Sequence, residues 1–232
     1  MKYFAASLAA LFPIALAAQN VQFDAPLADA GLQDLLRSAS VSLTLPAEED
    51  AAAQDYVAAA RADYRRLLTA LYADGYYGGT ISIKIDGREA STLAPLDAPS
   101  RVNNVAISVT PGPRFTFGTA AIAPLAPDTE LPEGFAAGKP AQSQVVRQSV
   151  TAATEAWREA GYAKVSPTGQ EVTARHADQI LNVAVNLAPG PQLTFGDLAV
   201  NGNVDVRTDR LVRIAGLPTG ETYSPQEIAT AE

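Results

Sequence analysis

Two segments of this chain, 105–118 and 183–196, have closely similar sequences, and this repeat constrains the fold more than any other feature. Each runs from an alternating apolar stretch through Pro-Gly-Pro to Thr-Phe-Gly. Upstream of each segment, an alanine-rich stretch ends in Gly-Tyr, at Gly75-Tyr76 and at Gly161-Tyr162. Self-similarity at a fixed interval predicts a repeated structural unit. The chain is therefore expected to be a tandem array of units of roughly 80 residues, a size that still folds on its own.

Each unit is expected to contain one long helix with a single apolar face. In the second unit this helix is predicted to begin at Pro140 and to end at Gly161, positions that suit these residue types. Apolar residues recur at helical spacing in both units: Val146, Val150, Ala153 and Trp157 in the second, and Val57, Ala60, Tyr64, Leu67 and Leu71 in the first. These stripes, including Tyr64 and Trp157, are interpreted as core packing.

A shorter helix is expected before the long one. In the first unit it covers 29–38, with Leu32, Leu35 and Leu36 facing inward. In the third, Asp205 is the expected N-cap, Leu211 and Ile214 face the core, and Gly216 ends the helix. The corresponding residues of the second unit, 124–139, are rich in Pro and Gly, which predicts at most a turn or two of helix.

After each Gly-Tyr the apolar period changes to two, which predicts half-buried strands. The alternation is clear in 80–86, 105–109 and 181–187, and the residues after each Pro-Gly-Pro, 115–117 and 193–195, are expected to open the next unit as strands. The order per unit is then strand, short helix, long helix, strand, strand. The predicted fold class is α+β: tandem β-α-α-β-β domains, each with two helices on one face of a three-stranded sheet.

The domain boundaries follow from the Pro-Gly-Pro joints: 18–111, 112–190 and 191–232. The last unit is expected to be truncated. Ser224-Pro225-Gln226-Glu227 is a capping box with Pro at the first helical position, so a helix starts there. By analogy with the second unit that helix needs about twenty residues, and a helix without its strands buries too little surface. We therefore expect a longer natural protein.

The amino terminus has the features of a secretory signal peptide over residues 1–17. Lys2 precedes a short apolar run that ends in Ala15-Leu16-Ala17, and small residues at these positions predict cleavage after Ala17. The run is too short to cross a bilayer core of about 30 Å as a helix. The alternatives are a membrane anchor or a buried helix. An exported mature protein without cysteine is the expectation, since a free thiol is a liability in an oxidising compartment.

Composition excludes several function classes. The sequence has no Cys, one His and a net charge of −8. Cys/His zinc sites and disulfide frameworks are excluded, and the negative charge disfavours nucleic acid as a partner. The single histidine, His176, is flanked by Arg175 and Asp178 and is interpreted as a solvated loop residue. We expect no catalytic residue, no metal and no cofactor; an enzyme would have to use carboxylates, hydroxyls or Lys.

Five short motifs in register resemble polypeptide-transport-associated (POTRA) domains, which precede the β-barrel of bacterial outer-membrane assembly and secretion factors. They are Gly75-Tyr76 and Gly161-Tyr162 between helix and strand, Gly138-Lys139-Pro140 and 220–225 before the long helix, and 200–203 after an opening strand. The resemblance covers nearly the whole mature chain. Residues 62–68 and 71–77 look most like the TamA family of autotransporter assembly factors, which has three such domains before its barrel.

The resemblance implies a functional surface at a sheet edge, where an extended segment can pair through backbone hydrogen bonds. Pro167 and Lys84 are residue types found on exposed edges. Strands 80–86 and 163–170 are therefore the predicted docking strands, with blunted edges that bind nothing as the alternative. The candidate residues are Thr80, Ile81, Ser82, Ile83, Lys84 and Ile85 in the first unit and Lys164, Val165 and Ser166 in the second.

The predicted function is a non-enzymatic scaffold at the periplasmic face of the outer membrane of a Gram-negative bacterium. The resemblance implies three kinds of partner: unfolded outer-membrane or autotransporter polypeptides, a periplasmic or inner-membrane-anchored protein that contacts the first unit, and a C-terminal β-barrel of the same chain. Two alternatives stay open. One is the POTRA region of a two-partner-type secretion pore, and the other is a periplasmic hydrolase that uses two converging carboxylates.

Overall fold

The computed structural model describes residues 20–45, 52–94 and 98–231, and within them it contains two β-sheets, each with its own hydrophobic core. The predicted signal peptide and the cleavage site after Ala17 lie outside the described residues. Among the helices that the structure describes, none combines the length and the apolar character needed to cross a membrane.

The first unit follows the predicted order of elements, with one short strand added. Its elements are β1 (Asn20–Asp24), α1 (Ala30–Ala39), α2 (Ala53–Ala73), β2 (Thr80–Ile85), β3 (Arg88–Glu89), a single 3-10 turn (Ala90–Thr92) and β4 (Asn104–Thr110). The sheet order is β1-β4-β2-β3, and β4 runs parallel to β1 and antiparallel to β2. The two-residue strand β3 is an addition that the alternating pattern does not predict.

Both helices of the first unit cover the same face of this sheet. The alternating apolar residues of β2 and β4, such as Ile83 and Ile107, are fully buried against the predicted stripe of α2. Helix α1 begins at its N-cap Asp29, whose carboxylate accepts a hydrogen bond from the Leu32 backbone N at 2.8 Å. The predicted inward position of Leu35 is wrong, because α1 is buried through Leu32 and Leu36, and Leu35 is left 37% exposed.

The second unit repeats the sheet topology of the first. It contains β5 (Thr116–Ala123), α3 (Ser143–Glu159), β6 (Ser166–Arg175) and β7 (Ile180–Ala188), in the sheet order β5-β7-β6. Strand β7 is parallel to β5 and antiparallel to β6, as β4 is to β1 and β2. Residues 124–139 form turns and bends without a helix, as their Pro and Gly content predicts. Phe135 from this segment packs edge to face on Phe117 in the core.

The predicted start of the second long helix at Pro140 is wrong. Helix α3 begins at Ser143, with Gln142 as its N-cap. Pro140 instead forms an isolated bridge with Thr116. Its neighbours on both sides are tied to the opening strand, because Ala141 N donates to Phe115 O at 2.9 Å and Lys139 O accepts from Phe117 N at 2.9 Å. These bonds hold residues 140–142 in an extended conformation, so that the helix begins three residues later than the capping rules predict.

The third segment contains α4 (Thr208–Ala215) and α5 (Pro225–Ala231). Helix α5 begins at Pro225 as predicted, and Ser224 Oγ accepts a hydrogen bond from the Glu227 backbone N at 3.4 Å. Helix α4 ends as predicted at Gly216, which has a positive φ of 64°. Instead of the predicted opening strand at 193–195, the described residues of this segment contain a single bridge between Thr194 and Thr222.

Two predictions for α4 are wrong. Its N-cap is Arg207 and not Asp205. The turn before it is held by the Asn203 side chain, whose Nδ2 donates to Val206 O at 2.8 Å and to Thr208 Oγ1 at 3.0 Å. Ile214 does not face a core, since it is 69% exposed. The physical reason is that the described residues of this segment form no sheet that α4 could cover.

Candidate functional site

Strand β6 lies at the outer edge of the second sheet. It pairs with β7 along its whole length, and no described strand pairs with its other side. All ten of its residues are exposed. Pro167 therefore lies on an edge strand, the position that its missing N–H favours. A register shift between Pro167 and Gly169 marks a bulge at this end of the strand.

The predicted docking residues of the second unit are only partly on this edge. Ser166 is the first residue of β6, whereas Lys164 and Val165 precede the strand. The backbone N of Val165 donates to Tyr162 O at 3.2 Å, and the residue is only 5% exposed. The prediction that Lys164 and Val165 belong to a free edge is wrong, because both residues precede the strand and the turn buries Val165. The edge itself continues to Arg175.

An apolar side chain accompanies the free backbone of β6. Val172 pairs with Val183 of β7, so the two side chains point to the same face of the sheet. Val183 is 1% exposed, whereas Val172 is 49% exposed. The core of the second unit thus ends at β7, and β6 extends beyond it. An added strand would find both hydrogen-bonding groups and an uncovered apolar contact here.

The opposite face of the same strands is polar. Glu171 and Thr173 line a groove of about 270 Å³ together with Thr119, Asn182 and Ala184. The Asn182 side-chain oxygen accepts a hydrogen bond from the Thr119 backbone N at 2.9 Å, which joins β7 to β5 on this side. The edge strand therefore presents a polar face and a partly apolar face, the pattern expected of a half-buried strand.

The predicted docking strand of the first unit is less accessible. Lys84 pairs with Glu89 and Ile85 pairs with Arg88, so these two residues lie between β4 and β3. The prediction that Lys84 and Ile85 form a free edge is wrong. The signal that was missed is the dipeptide Asp86-Gly87, which favours a tight hairpin after an alternating run.

Side chains close the next part of this edge. The backbone N of Ile83 donates to Glu89 Oε1 at 3.1 Å and lies 3.2 Å from the Tyr64 hydroxyl. Ser82 Oγ donates to Glu89 Oε2 at 2.9 Å, and the Tyr64 hydroxyl donates to Glu89 Oε1. On the outer side of β2, Thr80 and Ile81 are the predicted residues that neither β3 nor these side chains cover.

The electrostatics of this network favour a charged Glu89 and a neutral Tyr64. Burial acts to raise the pKa of the Glu89 carboxyl, but the hydrogen bonds from Tyr64, Ser82 and Ile83 outweigh burial and lower it overall. Burial and the hydrogen bond to Glu89 raise the pKa of the Tyr64 hydroxyl. At neutral pH the carboxylate therefore remains the acceptor and the phenol remains the donor.

The first two units are joined by a network around Asp74, at the C-terminal end of α2. The Asp74 carboxylate accepts a hydrogen bond from Gln142 Nε2 at 2.7 Å and forms an ion pair with Arg114 at 2.5 Å. Tyr77 follows α2 and donates its hydroxyl to Ala141 O at 2.8 Å. Burial raises the pKa of Tyr77 to about 12. Side chains of one unit thus hold the backbone of the next.

His176 belongs to the same region. Its ring contacts Phe115 edge to face, with centroids 5.3 Å apart, and Phe115 in turn contacts Tyr77 at 5.5 Å. The tip of the β6–β7 hairpin therefore touches the joint between the first two units. This places the only histidine in an aromatic contact, which the sequence interpretation as a merely solvated loop residue missed.

The backbone hydrogen bonds of the first joint recur at the second. In each joint the Gly carbonyl after the long helix accepts a hydrogen bond from the residue that follows Pro-Gly-Pro-Xaa. The residues from that position onward then bond to the segment before the next helix. At the first joint the distances are 2.9 Å for Phe115 N to Gly75 O, 2.9 Å for Ala141 N to Phe115 O and 2.7 Å for Gly138 N to Phe117 O. At the second joint the equivalent distances are 3.0 Å for Leu193 N to Gly161 O, 2.9 Å for Tyr223 N to Leu193 O and 2.8 Å for Gly220 N to Phe195 O.

No group of three or more potential metal ligands occurs in the described part of the chain. Three surface grooves of about 270 to 460 Å³ are each lined by at most one carboxylate, Glu155 in one and Glu171 in another.

Comparison with solved structures identifies the fold. The chain is similar to BamA POTRA domains 3–5 from Haemophilus influenzae, with a TM-score of 0.55 and 15% sequence identity over 93% of this chain and 82% of that one. This chain has the POTRA fold. Matches to POTRA1-3 of the Omp85 periplasmic domain from Anabaena (92% of this chain, 81% of that one) and to the N-terminal domain of Omp85 from Thermosynechococcus elongatus (93% and 83%) have TM-scores of 0.37 and 0.38 at 13% identity. No family model and no curated protein matches the sequence.

Proposed function

We propose that this POTRA chain is a periplasmic scaffold that holds extended polypeptides on a sheet edge near an outer-membrane barrel. The observation that supports the proposal is β6, an exposed edge of ten residues with an uncovered apolar side chain, Val172. A client segment would pair with the outer backbone groups of β6 and would place alternate side chains on its two faces. This function requires no catalytic residue and no cofactor.

The chemistry of such an edge predicts weak binding per unit. Main-chain hydrogen bonds contribute about 0.5–1.5 kcal/mol each after exchange with water. A single partly apolar contact adds little more, so the scaffold would depend on several units that act on the same polypeptide. Weak and sequence-tolerant contacts also suit clients that must be released again.

The finer proposal concerns the place of the chain in the cell. The motifs before and after Gly75 support an autotransporter assembly factor of the TamA kind, with an inner-membrane-anchored periplasmic protein as the partner of the first unit. Export would require removal of residues 1–17. Intact-mass measurement of the periplasmic protein tests this part of the proposal, because cleavage after Ala17 predicts one defined mass and an uncleaved chain another.

The domain boundaries 18–111, 112–190 and 191–232 also belong to the proposal. The two buried clusters support the first of them, since one is built from residues between Ala25 and Val109 and the other from residues between Phe115 and Leu187. Limited proteolysis provides the test. Cleavage at 111–113 or 189–191 that leaves stable fragments supports the boundaries, and preferred cleavage within a sheet contradicts them.

Docking on β6 can be tested with a pair of proline substitutions. Backbone groups of neighbouring residues point in opposite directions along a strand. Of Val172→Pro and Thr173→Pro, one therefore removes an outward N–H and the other a bond to β7. The probe is a fluorescein-labelled peptide of alternating valine and glutamine with the length of β6, ten residues.

We expect the substitution that removes the outward N–H to leave the second unit folded. It should weaken binding of the probe several-fold, because one main-chain hydrogen bond to the probe is lost. Trp157 fluorescence verifies folding, since this residue packs against the core of the same unit. Unchanged binding of the probe by both folded variants would remove β6 as the docking strand.

A further inference from the structure

The two complete POTRA units differ in the connection that follows their edge strand. In the second unit β6 and β7 are joined by residues 176–179 alone. In the first, the connection from β2 to β4 covers 86–103 and contains β3 and a 3-10 turn. We refer to the described residues 86–94 as the strap. The strap lies on the side of β2 that corresponds to the free side of β6.

The strap is fixed at both ends. Asp86 and Gly87 both have positive φ angles, 47° and 82°, which form the tight turn that folds the chain back along β2. The Asp86 carboxylate accepts hydrogen bonds from the backbone N of Asn103 and Asn104. At the other end Ala90 and Leu93 are 0% and 1% exposed and belong to the core of the first unit. The strap is therefore a packed part of the fold.

Glu89 connects the strap to the backbone that an added strand would need. Its carboxylate accepts the hydrogen bond from Ile83 N, and Tyr64 from α2 contacts the same carboxylate oxygen. On an edge strand, an N–H that already donates to a carboxylate of the same unit is not available to a client. In β6 no described residue provides such an acceptor to the outer backbone groups.

We propose that the strap and the Glu89 side chain close the edge of the first unit, so that an extended polypeptide is accepted by β6 of the second unit and not by β2. This rests on the proposed docking function of POTRA edges. The strap occupies the place of an antiparallel client strand, since Arg88 and Glu89 already pair with Ile85 and Lys84. The two units thus have different roles despite their shared topology.

The test uses the full chain, the Val/Gln peptide described above with a photo-cross-linker at its centre, and two variants. Glu89→Ala removes the acceptor, and Arg88→Ala is the matched control, because Arg88 is an exposed neighbour on the same strap. Cross-linked residues are located by mass spectrometry. Amide hydrogen exchange at Ile83 reports the closed edge independently of the peptide, and exchange at Ile107 in β4 reports whether the first unit remains folded.

We expect the unmodified chain and Arg88→Ala to cross-link to β6 only. Glu89→Ala should increase amide exchange at Ile83 about tenfold or more, as expected for the loss of a hydrogen bond to a charged group. It should also add cross-links in 80–83. If Ile107 shows that this variant unfolds, Glu89→Gln is used, which keeps the size of the side chain and should give a smaller change in the same direction.

Three results would overturn the proposal: cross-links to β2 in the unmodified chain, Ile83 exchange that Glu89→Ala does not change, or faster exchange without new cross-links while β6 still binds. A different result separates the two proposals. If the unmodified chain does not bind the peptide at β6, but Glu89→Ala gains cross-links at β2, then docking on β6 fails and the closed edge of the first unit stands.

Discussion

At the scale of single residues, the buried carboxylate of Asp63 shows how one side chain can hold two helices of a POTRA unit together. Asp63 lies on α2 with none of its surface exposed. It accepts hydrogen bonds from the Ser40 hydroxyl at 2.7 Å and from the backbone N of Val41 and Ser42 at 2.7 and 3.0 Å. The backbone that leaves α1 therefore depends on a charge from α2.

Asp63→Ala should destabilise the first unit strongly. The substitution leaves three donors without an acceptor, two of them on the buried residues Ser40 and Ser42. Each buried group left in this way costs about 1–3 kcal/mol. We expect a loss of about 3 kcal/mol or more in the free energy of unfolding, measured by urea denaturation with circular dichroism. Asp55→Ala is the control. The Asp55 carboxylate accepts a solvent-exposed hydrogen bond from Ala52 N at the start of the same helix, and its loss should cost about 1 kcal/mol. Equal losses would contradict the role assigned to Asp63.

Gly161 is a position in the second joint that does not accommodate a larger side chain. Its φ of 95° favours glycine, and a Cβ added there would lie 2.4 Å from Thr222 Cγ2. Gly161→Ala should therefore displace the segment before α5, in addition to the strain of a left-handed alanine of about 1 kcal/mol. Gly138→Ala is the control, because its φ is 79° but nothing lies within 4 Å of the added Cβ. Amide exchange at Tyr223 should increase only in the first variant.

At the scale of elements, the closed edge of β2 should depend on pH. The pKa of Glu89 is lower in the folded protein than its ordinary value of 4.5. A lowered carboxyl pKa contributes stability above the ordinary value, and this contribution is lost as the pH falls through the folded value. Lys84, the charged neighbour, acts in the same direction. Protection of the Ile83 amide relative to Ile107 should thus decrease as the pH falls below the ordinary value of 4.5.

Glu89→Gln should abolish this pH dependence, because the amide does not titrate in this range. A protection ratio that falls equally in both proteins would show that another group causes the change. At alkaline pH, the raised pKa of Tyr64 gives a contribution to stability with the opposite pH dependence. Its contribution is present below the ordinary value of 10.0 and is lost as the pH rises through the folded value.

At the scale of the whole molecule, the repeated joint indicates that successive POTRA units are held in one arrangement. Asp74 is the side chain that ties the first two units, through Arg114 and Gln142. Asp74→Ala should loosen this joint while both cores stay intact. We expect amide exchange at Phe115 to increase and the scattering curve in solution to change, without a change in Trp157 fluorescence.

The matched control is Asp178→Ala, which removes an aspartate paired with Arg175 at 3.5 Å within a single hairpin. Exposed pairs of this kind contribute about 0–1 kcal/mol. The scattering curve of this variant should match that of the unmodified chain. If both variants scatter like the unmodified chain, the backbone bonds of the joint suffice without Asp74.

Apolar periods and glycine positions are local properties, and they predict the α+β class and the order of the elements, whereas the resemblance to POTRA domains depends on five short motifs. Alternating apolar residues specify the faces of β2, β4 and β7, and the stripe from Val57 to Leu71 specifies the buried face of α2. The short-range rules also placed the start of α5 and the end of α4. They failed where distant backbone intervened, as at Pro140, which pairs with Thr116 before α3 can begin.

Only the tertiary structure decided which edge is open. Lys84 and Pro167 mark edge strands equally well in the sequence, but hydrogen bonds between residues far apart in the chain distinguish them. Tyr64 and Glu89 meet at Ile83 because α2 packs over β2 and the strap folds back, and this contact joins residues that are 25 positions apart in the chain. Alternation of apolar residues specifies which face of a strand is buried. Packing of neighbouring elements then determines whether the N–H and C=O groups on its outer side remain free.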